Sequence, residues 1–166
     1  MKRRNFLIFS SIFGLSSCLT GEDRVVVDKS LKDVERTIEA VQEHLFPKGS
    51  QIPSAKSMSA TEFLLETISH KTYDKDIYLF VIEGAKKLQS REKGKFISCS
   101  SQDKERALRE YEETTYGSRW LSRIMILTME GMFSDPIYGS NINENGWKTL
   151  KTYGGYPRPT TKYIKS

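Results

Sequence analysis

The side chains that most often perform chemistry in proteins are few and scattered in this sequence. Only His44 and His70 could supply imidazole, and only Cys18 and Cys99 could supply thiolate. Two cysteines cannot complete a four-thiolate iron–sulfur site, and the C-x-x-C-H pattern of haem attachment is absent. No Ser-His-Asp or Cys-His arrangement stands out, and no G-x-G-x-x-G or Walker pattern occurs. We therefore predict no catalytic, cofactor-binding or metal-binding residue in this chain.

Length and charge set further bounds on function. A chain of 166 residues is long enough for one domain with a modest core. Its net charge is +5, but Lys2, Arg3 and Arg4 account for three of those charges and leave only +2 elsewhere. So mild an excess, spread among interspersed acidic residues, is typical of a solvated surface and does not favour nucleic acid as a partner.

Residues 1–18 are predicted to be an export signal. A basic start precedes an apolar run that is too short to span a membrane as a stable helix. Arg3 and Arg4, followed by Phe6 and Leu7, resemble a twin-arginine signal, the address of proteins that are exported already folded. An ordinary secretory signal with a basic start is the alternative interpretation.

The two cysteines have alternative roles that depend on this export. The sequence before Cys18 resembles a lipoprotein box, so Cys18 could be acylated, with residues 19–28 as a tether to the membrane. An incidental small cysteine near a cleavage site is the other interpretation. Cys99 would then be an odd cysteine in an oxidising compartment, able to form a disulfide with a partner chain. Its alternative role is that of a small buried apolar residue.

Apolar residues recur at helical spacing through most of the remaining chain, and neither an internal repeat nor an alternating strand pattern is present. The predicted helices cover residues 29–46, 59–69, 74–89, 103–114 and 120–132. The fold class is therefore all-α: a small bundle of about five helices over residues 29–133, with a long, ordered, irregular C-terminal tail at residues 134–166.

Two positions in this bundle stand out. Gly84 lies in mid-helix, where glycine costs about 1 kcal/mol relative to alanine, so we predict that it permits close approach of another helix. The segment 120–132 has almost no polar side. A helix that is apolar all round is typically buried, so we predict that this one is the central helix of the bundle.

Residues 131–159 are rich in glycine and proline, which disfavours regular helix, yet they also contain many aromatic residues. Such a composition predicts an ordered loop rather than a solvated linker. Tyr138 and Trp147 have the large amphipathic surface of interface anchors, so the loop either binds a partner or wraps its own bundle. A catalytic role for Asp135 is disfavoured because no base, nucleophile or oxyanion donor accompanies it.

The stretch GMFSDPIYGSNINENGW at residues 131–147 resembles the C-terminal signature of the gluconate 2-dehydrogenase subunit 3 family, which includes small subunits of membrane-associated fructose and glucose dehydrogenases. The matching residues are Gly131, Phe133, Asp135, Pro136, Tyr138, Gly139, Asn141, Gly146 and Trp147. Ser140 stands where the family usually has a second glycine. The resemblance implies that all of these matches except Gly131 contact a partner.

The resemblance also implies a role within a complex. A large subunit would carry FAD and oxidise a sugar or sugar acid, and in many such complexes a cytochrome subunit with haem c passes electrons to quinone. The small, non-catalytic subunit would help the flavoprotein fold and reach the periplasm through the twin-arginine translocase, where the complex associates with the membrane. A free-standing periplasmic lipoprotein that binds a ligand or scaffold, suggested by Cys18, is the alternative. An enzyme in its own right is disfavoured by the lack of a catalytic constellation.

Overall fold

The computed structural model describes the backbone of residues 21–157 and the side chains from residue 29 onward in that range. Within it the chain forms α-helices and short 3₁₀ turns, and no β-strand. The helices are α1 (Gly21–Leu45), α2 (Ala60–Ser69), α3 (Lys75–Arg91), α4 (Ser101–Glu112), α5 (Thr115–Phe133) and α6 (Asn145–Thr149). The predicted all-α bundle of about five helices is confirmed, with α6 as a short addition after it. None of these described helices is long and apolar enough to cross a membrane.

Helix α1 forms one side of the core through residues spaced three and four apart. Val34, Ile38 and Val41 are fully buried, as the periodicity of the first segment predicts. The helix begins at Gly21, so the predicted start at residue 29 was wrong, and residues 21–28 of the predicted tether are helical. The tethering role of residues 19–28 stays a prediction.

Helices α3 and α5 approach closely because α3 has a glycine where they meet. Trp120 is fully buried against Gly84, and a Cβ atom at Gly84 would lie 1.9 Å from Trp120 Cδ1. The indole Nε1 donates to the carbonyl oxygen of Val81 at 3.0 Å. The predicted role of Gly84 in close helix approach is therefore confirmed.

The carbonyl of Gly84 has a partner on a third helix. The hydroxyl of Tyr111 in α4 donates to Gly84 O at 3.0 Å. Burial raises the pKa of Tyr111 to about 12, so the phenol stays protonated and remains a donor at neutral pH. Tyr111 and Trp120 also stack at a tilt, with their ring centroids 5.7 Å apart. The α3–α4–α5 junction is thus fixed by three aromatic contacts around one glycine.

Helix α5 is buried on one side only. Ile124 and Leu127 face the core, whereas Met125, Ile126 and Met129 are 42%, 47% and 44% exposed. The prediction that this helix is buried all round was wrong. Its neighbours α1, α2, α3 and α4 contact the side that carries Ile124 and Leu127 and leave an apolar outer face, which sequence periodicity alone cannot distinguish from the inner one.

A buried polar network joins α1, α2 and α5. Gln42 is fully buried, and its amide Nε2 donates to Thr128 Oγ1 at 2.9 Å and more weakly to Ala60 O at 3.4 Å. Its amide oxygen accepts from Thr61 Oγ1 at 2.7 Å. Since a buried amide without partners is costly, this satisfied side chain fixes the relative positions of three helices.

Substituting Gln42→Leu is expected to lower the free energy of unfolding by about 1–2 kcal/mol, because the hydroxyl of Thr61 and the carbonyl of Ala60 lose buried partners. Urea unfolding followed by circular dichroism measures the change. Gln102→Leu, at an exposed position of α4, is the matched control and should change stability little. An equal loss for both variants would contradict a special role for the network.

Candidate functional site

The residues 131–147, called the signature segment below, turn back over the C-terminal end of α5. The indole Nε1 of Trp147 donates to Phe133 O at 2.6 Å, and Nδ2 of Asn141 donates to Ser134 O at 2.8 Å. The last carbonyl groups of a helix have no partner within the helix. The signature segment supplies donors at the end of α5 and thereby caps the helix.

The turn inside the signature segment is built by its own sequence. Asp135 Oδ1 accepts from the backbone N–H of Ile137 at 3.0 Å, and Pro136 begins a short 3₁₀ turn, Pro136–Tyr138. Proline suits the first position of such a turn because its φ is preset and its missing N–H is not needed. Gly139 then takes a φ of +85°, which favours glycine. These residues reverse the chain so that Asn141 reaches Ser134.

Two glycines of this region are required by close backbone and ring contacts. A Cβ atom on Gly146 would lie 2.2 Å from Met132 O, and the N–H of Gly146 donates to Asn141 Oδ1 at 2.9 Å. A Cβ atom on Gly154 would lie 2.3 Å from Cη2 of Trp147. The expectation of a tail without helix was wrong in detail, since this region also contains the 3₁₀ turn Ile142–Glu144 and the helix α6.

The predicted partner-binding residues fall into three groups by exposure. Asn141, Gly146 and Trp147 are buried, Phe133, Asp135, Pro136 and Tyr138 are half-buried, and Gly139 is exposed. The buried residues contact the chain itself, so the wrapping role that the sequence left open is present in the fold. Contact of these residues with a partner stays a prediction.

The remaining predicted sites concern export and the cysteines. Arg3, Arg4, Phe6, Leu7 and Cys18 lie outside the described residues. Cys99 is half-buried, and its thiol forms no disulfide with any residue that the structure describes. Its bonding to a partner chain stays a prediction.

An open cavity of about 550 Å³ lies between α2, the connection from α2 to α3, the end of α5 and the signature segment, and is called the α2–α5 cavity below. Its lining residues are Phe63, Thr67, His70, Thr72, Tyr73, Glu130, Phe133, Ser134 and Tyr138. The ring of Phe63 lies against Gly131, where a Cβ atom would be 3.0 Å from Phe63 Cδ1. A largely apolar cavity of this size, with a few polar groups at its edge, can take a small molecule or a large side chain.

Tyr73 is the polar group of the α2–α5 cavity whose pKa is shifted by its surroundings. Burial, and next the charge of Glu130, raises the pKa of Tyr73, while Arg123 opposes this shift. His70 is exposed, as predicted, and its Nδ1 is 2.8 Å from Thr72 Oγ1. Among the described residues, no three His, Cys, Asp or Glu side chains come together as a metal site. The cavity therefore offers apolar contact area and one carboxylate, that of Glu130.

Sequence reasoning did not find the α2–α5 cavity. Phe63 belongs to a predicted helix, Tyr73 to a connection between helices, and Glu130 to a segment interpreted as a buried helix. Their meeting depends on how α2 and α5 pack, and no spacing in the sequence reports it. Of the nine lining residues, Phe133 and Tyr138 were predicted from the signature to bind a partner.

The fold and the site define a class of protein: a small all-α bundle whose signature segment caps the helix α5 beside a largely apolar surface cavity. The sequence profile described as gluconate 2-dehydrogenase subunit 3 matches residues 32–155, from Lys32 in α1 through the signature segment to Gly155. The chain belongs to the gluconate 2-dehydrogenase subunit 3 family. Membership implies an accessory role in a complex with other dehydrogenase subunits. No curated protein and no solved structure matches the chain.

Proposed function

We propose that this chain is the non-catalytic small subunit of a periplasmic, membrane-associated, FAD-dependent dehydrogenase of sugars or sugar acids. The FAD belongs to the catalytic subunit, and a cytochrome subunit carries any haem c. The observation that carries the proposal is the family match over residues 32–155, which covers both the bundle and the signature segment. The scattered positions of the histidines and cysteines in the sequence are consistent with a chain that performs no chemistry itself.

The proposed contribution of the chain is to help the flavoprotein fold and to carry it through the twin-arginine translocase. A flavoprotein must bind its cofactor before it leaves the cytoplasm, so it needs an export route that accepts folded proteins. A twin-arginine signal on a tightly bound small subunit would serve both chains. Arg3 and Arg4, followed by Phe6 and Leu7, support this part of the proposal.

Substituting both Arg3→Lys and Arg4→Lys tests the export role. The pair keeps the positive charge that an ordinary secretory signal needs but removes the twin arginine. We expect the FAD-containing subunit to accumulate in the cytoplasm and its periplasmic level to fall at least tenfold. Fractionation of cells and flavin absorbance of each fraction measure this result.

Lys2→Arg, which changes a neighbouring residue and leaves Arg3 and Arg4 intact, is the control for this pair. A flavoprotein that still reached the periplasm with both lysines present would show the export role to be wrong.

Affinity purification of the wild-type chain from native membranes tests the complex itself. A lone chain without flavin would refute the subunit proposal and favour the free-standing lipoprotein.

A further inference from the structure

A second concave surface adjoins the α2–α5 cavity along α5. It has a volume of about 320 Å³, lies between the first turns of α3 and the first half of α5, and is called the arginine cleft below. Its lining residues are Asp76, Ile77, Phe80, Arg119 and Arg123. The two arginines are one helical turn apart, so both guanidinium groups can reach one anionic group above an apolar floor.

Among the described residues, neither arginine of this cleft forms an ion pair with a carboxylate. Asp76 lines the same cleft without reaching salt-bridge distance of either one. Arginine side chains that are set over apolar surface and lack a carboxylate are suited to a carboxylate from another chain.

The two surfaces lie along the same helix, α5. Glu130 of the α2–α5 cavity and Arg123 of the arginine cleft are seven residues apart in α5, and both are near enough to Tyr73 to influence its pKa. The exposed side chains of Ile126 and Met129 lie between these two positions along α5. We call this stretch of α5, with the two concave surfaces at its ends, the α5 groove; it has arginines at one end, apolar side chains in the middle and the open α2–α5 cavity beside Glu130 at the other end.

We propose that the α5 groove is the docking surface for the catalytic flavoprotein subunit. That subunit inserts an aromatic or aliphatic side chain into the α2–α5 cavity and places a carboxylate on Arg119 and Arg123. The proposal rests on the proposed function, because it takes the catalytic subunit as the partner. It assigns the contact to α5 and the rim of the signature segment, whereas the buried Trp147 and Asn141 hold that rim in place.

The charge pattern of the α5 groove favours a protein partner over a membrane. Lipid-binding surfaces usually gather several lysines and arginines without intervening acids. The α5 groove has two arginines together with Asp76 and Glu130, a mixed pattern that fits a specific protein surface. A largely apolar cavity that can accept one large side chain, next to the exposed Met129, has the composition of a binding hot spot.

Filling the cavity tests the apolar half of the contact. Thr67→Phe places a ring at the lining of the α2–α5 cavity, and we expect the affinity of the full chain for the purified catalytic subunit to fall at least tenfold. Ser69→Phe, two residues on and exposed, adds the same ring outside the cavity and should leave the affinity unchanged. Cooperative thermal unfolding of each variant is the control that establishes that it is folded.

Charge reversal tests the other half independently. The double substitution Arg119→Glu and Arg123→Glu should weaken binding about tenfold and reduce the dependence of the affinity on salt concentration. Lys32→Glu with Lys86→Glu changes the net charge equally at exposed positions of α1 and α3. This control should bind with nearly wild-type affinity.

The outcomes separate the proposals. If the wild-type chain does not bind the catalytic subunit, the proposed function itself fails. If the wild-type chain binds and both groove variants bind equally well, the α5 groove is not the docking surface. If the groove variants bind the catalytic subunit normally but no longer self-associate in sedimentation, the groove binds a second copy of this chain and the proposal is overturned. If they bind the catalytic subunit normally but no longer bind vesicles containing anionic lipid, the groove binds the membrane and the proposal is likewise overturned.

Discussion

Replacing Gly84 with alanine is expected to destabilise the bundle by about 1–2 kcal/mol. The added Cβ atom would lie 1.9 Å from Trp120 Cδ1 and 2.2 Å from Trp120 Nε1. The indole is fully buried, so the ring must shift and weaken its hydrogen bond to Val81 O, or the two helices must separate. Such overpacking costs roughly 1–3 kcal/mol or more, which outweighs the gain of about 1 kcal/mol in helix propensity.

Urea unfolding followed by tryptophan fluorescence and circular dichroism measures this loss. Ser90→Ala, at an exposed position of the same helix, is the control and should stabilise slightly or change nothing. Combining Gly84→Ala with Trp120→Leu should cost less than the sum of the two single changes, since the smaller side chain relieves the contact. If Gly84→Ala alone increased stability, the gain in helix propensity would outweigh any clash at this position. The predicted steric clash with Trp120 would then be contradicted.

Much of the bundle could be predicted because helix periodicity reports which residues face a core. Leu31, Val34, Ile38 and Val41 are spaced at helical intervals and are all buried. The same reasoning failed for α5, because apolar residues such as Met125 lie on its outer side as well as on its inner side, so their spacing does not single out the buried side. Which of its sides is covered depends on where the neighbouring helices lie, and Met125 on the uncovered side is chemically like the residues of the core.

The signature segment shows a second limit of sequence reasoning. Its aromatics predicted an ordered loop, and after α5 the structure has the 3₁₀ turns Pro136–Tyr138 and Ile142–Glu144 and the helix α6. The bonds that order it join Asn141 to Ser134, seven residues apart, and Trp147 to Phe133, fourteen residues apart. Neither separation belongs to a regular element, so composition could indicate order without showing which groups bond.

Trp147→Ala is expected to lower the free energy of unfolding of the isolated chain by about 3 kcal/mol. The side chain is only 8% exposed, its Nε1 donates to Phe133 O at 2.6 Å, and its ring packs on Gly154. Removing a buried tryptophan costs about 3–5 kcal/mol, and here the end of α5 also loses a donor. Because the rim of the α2–α5 cavity includes Phe133 and Tyr138, the yield of assembled complex should fall along with the stability.

Trp147→Phe separates packing from the hydrogen bond. Phenylalanine keeps part of the apolar contact but loses the indole donor and some buried ring volume, so we expect a loss of about 1–2 kcal/mol, smaller than that of Trp147→Ala. If Trp147 acts through the fold, complex yield across wild type, Trp147→Phe and Trp147→Ala should follow stability and recover when the samples are cooled. If Trp147→Ala instead abolished the complex while the isolated chain unfolded like wild type, Trp147 would be a direct anchor for the partner. Its burial against Phe133 and Gly154 would then have to open on binding.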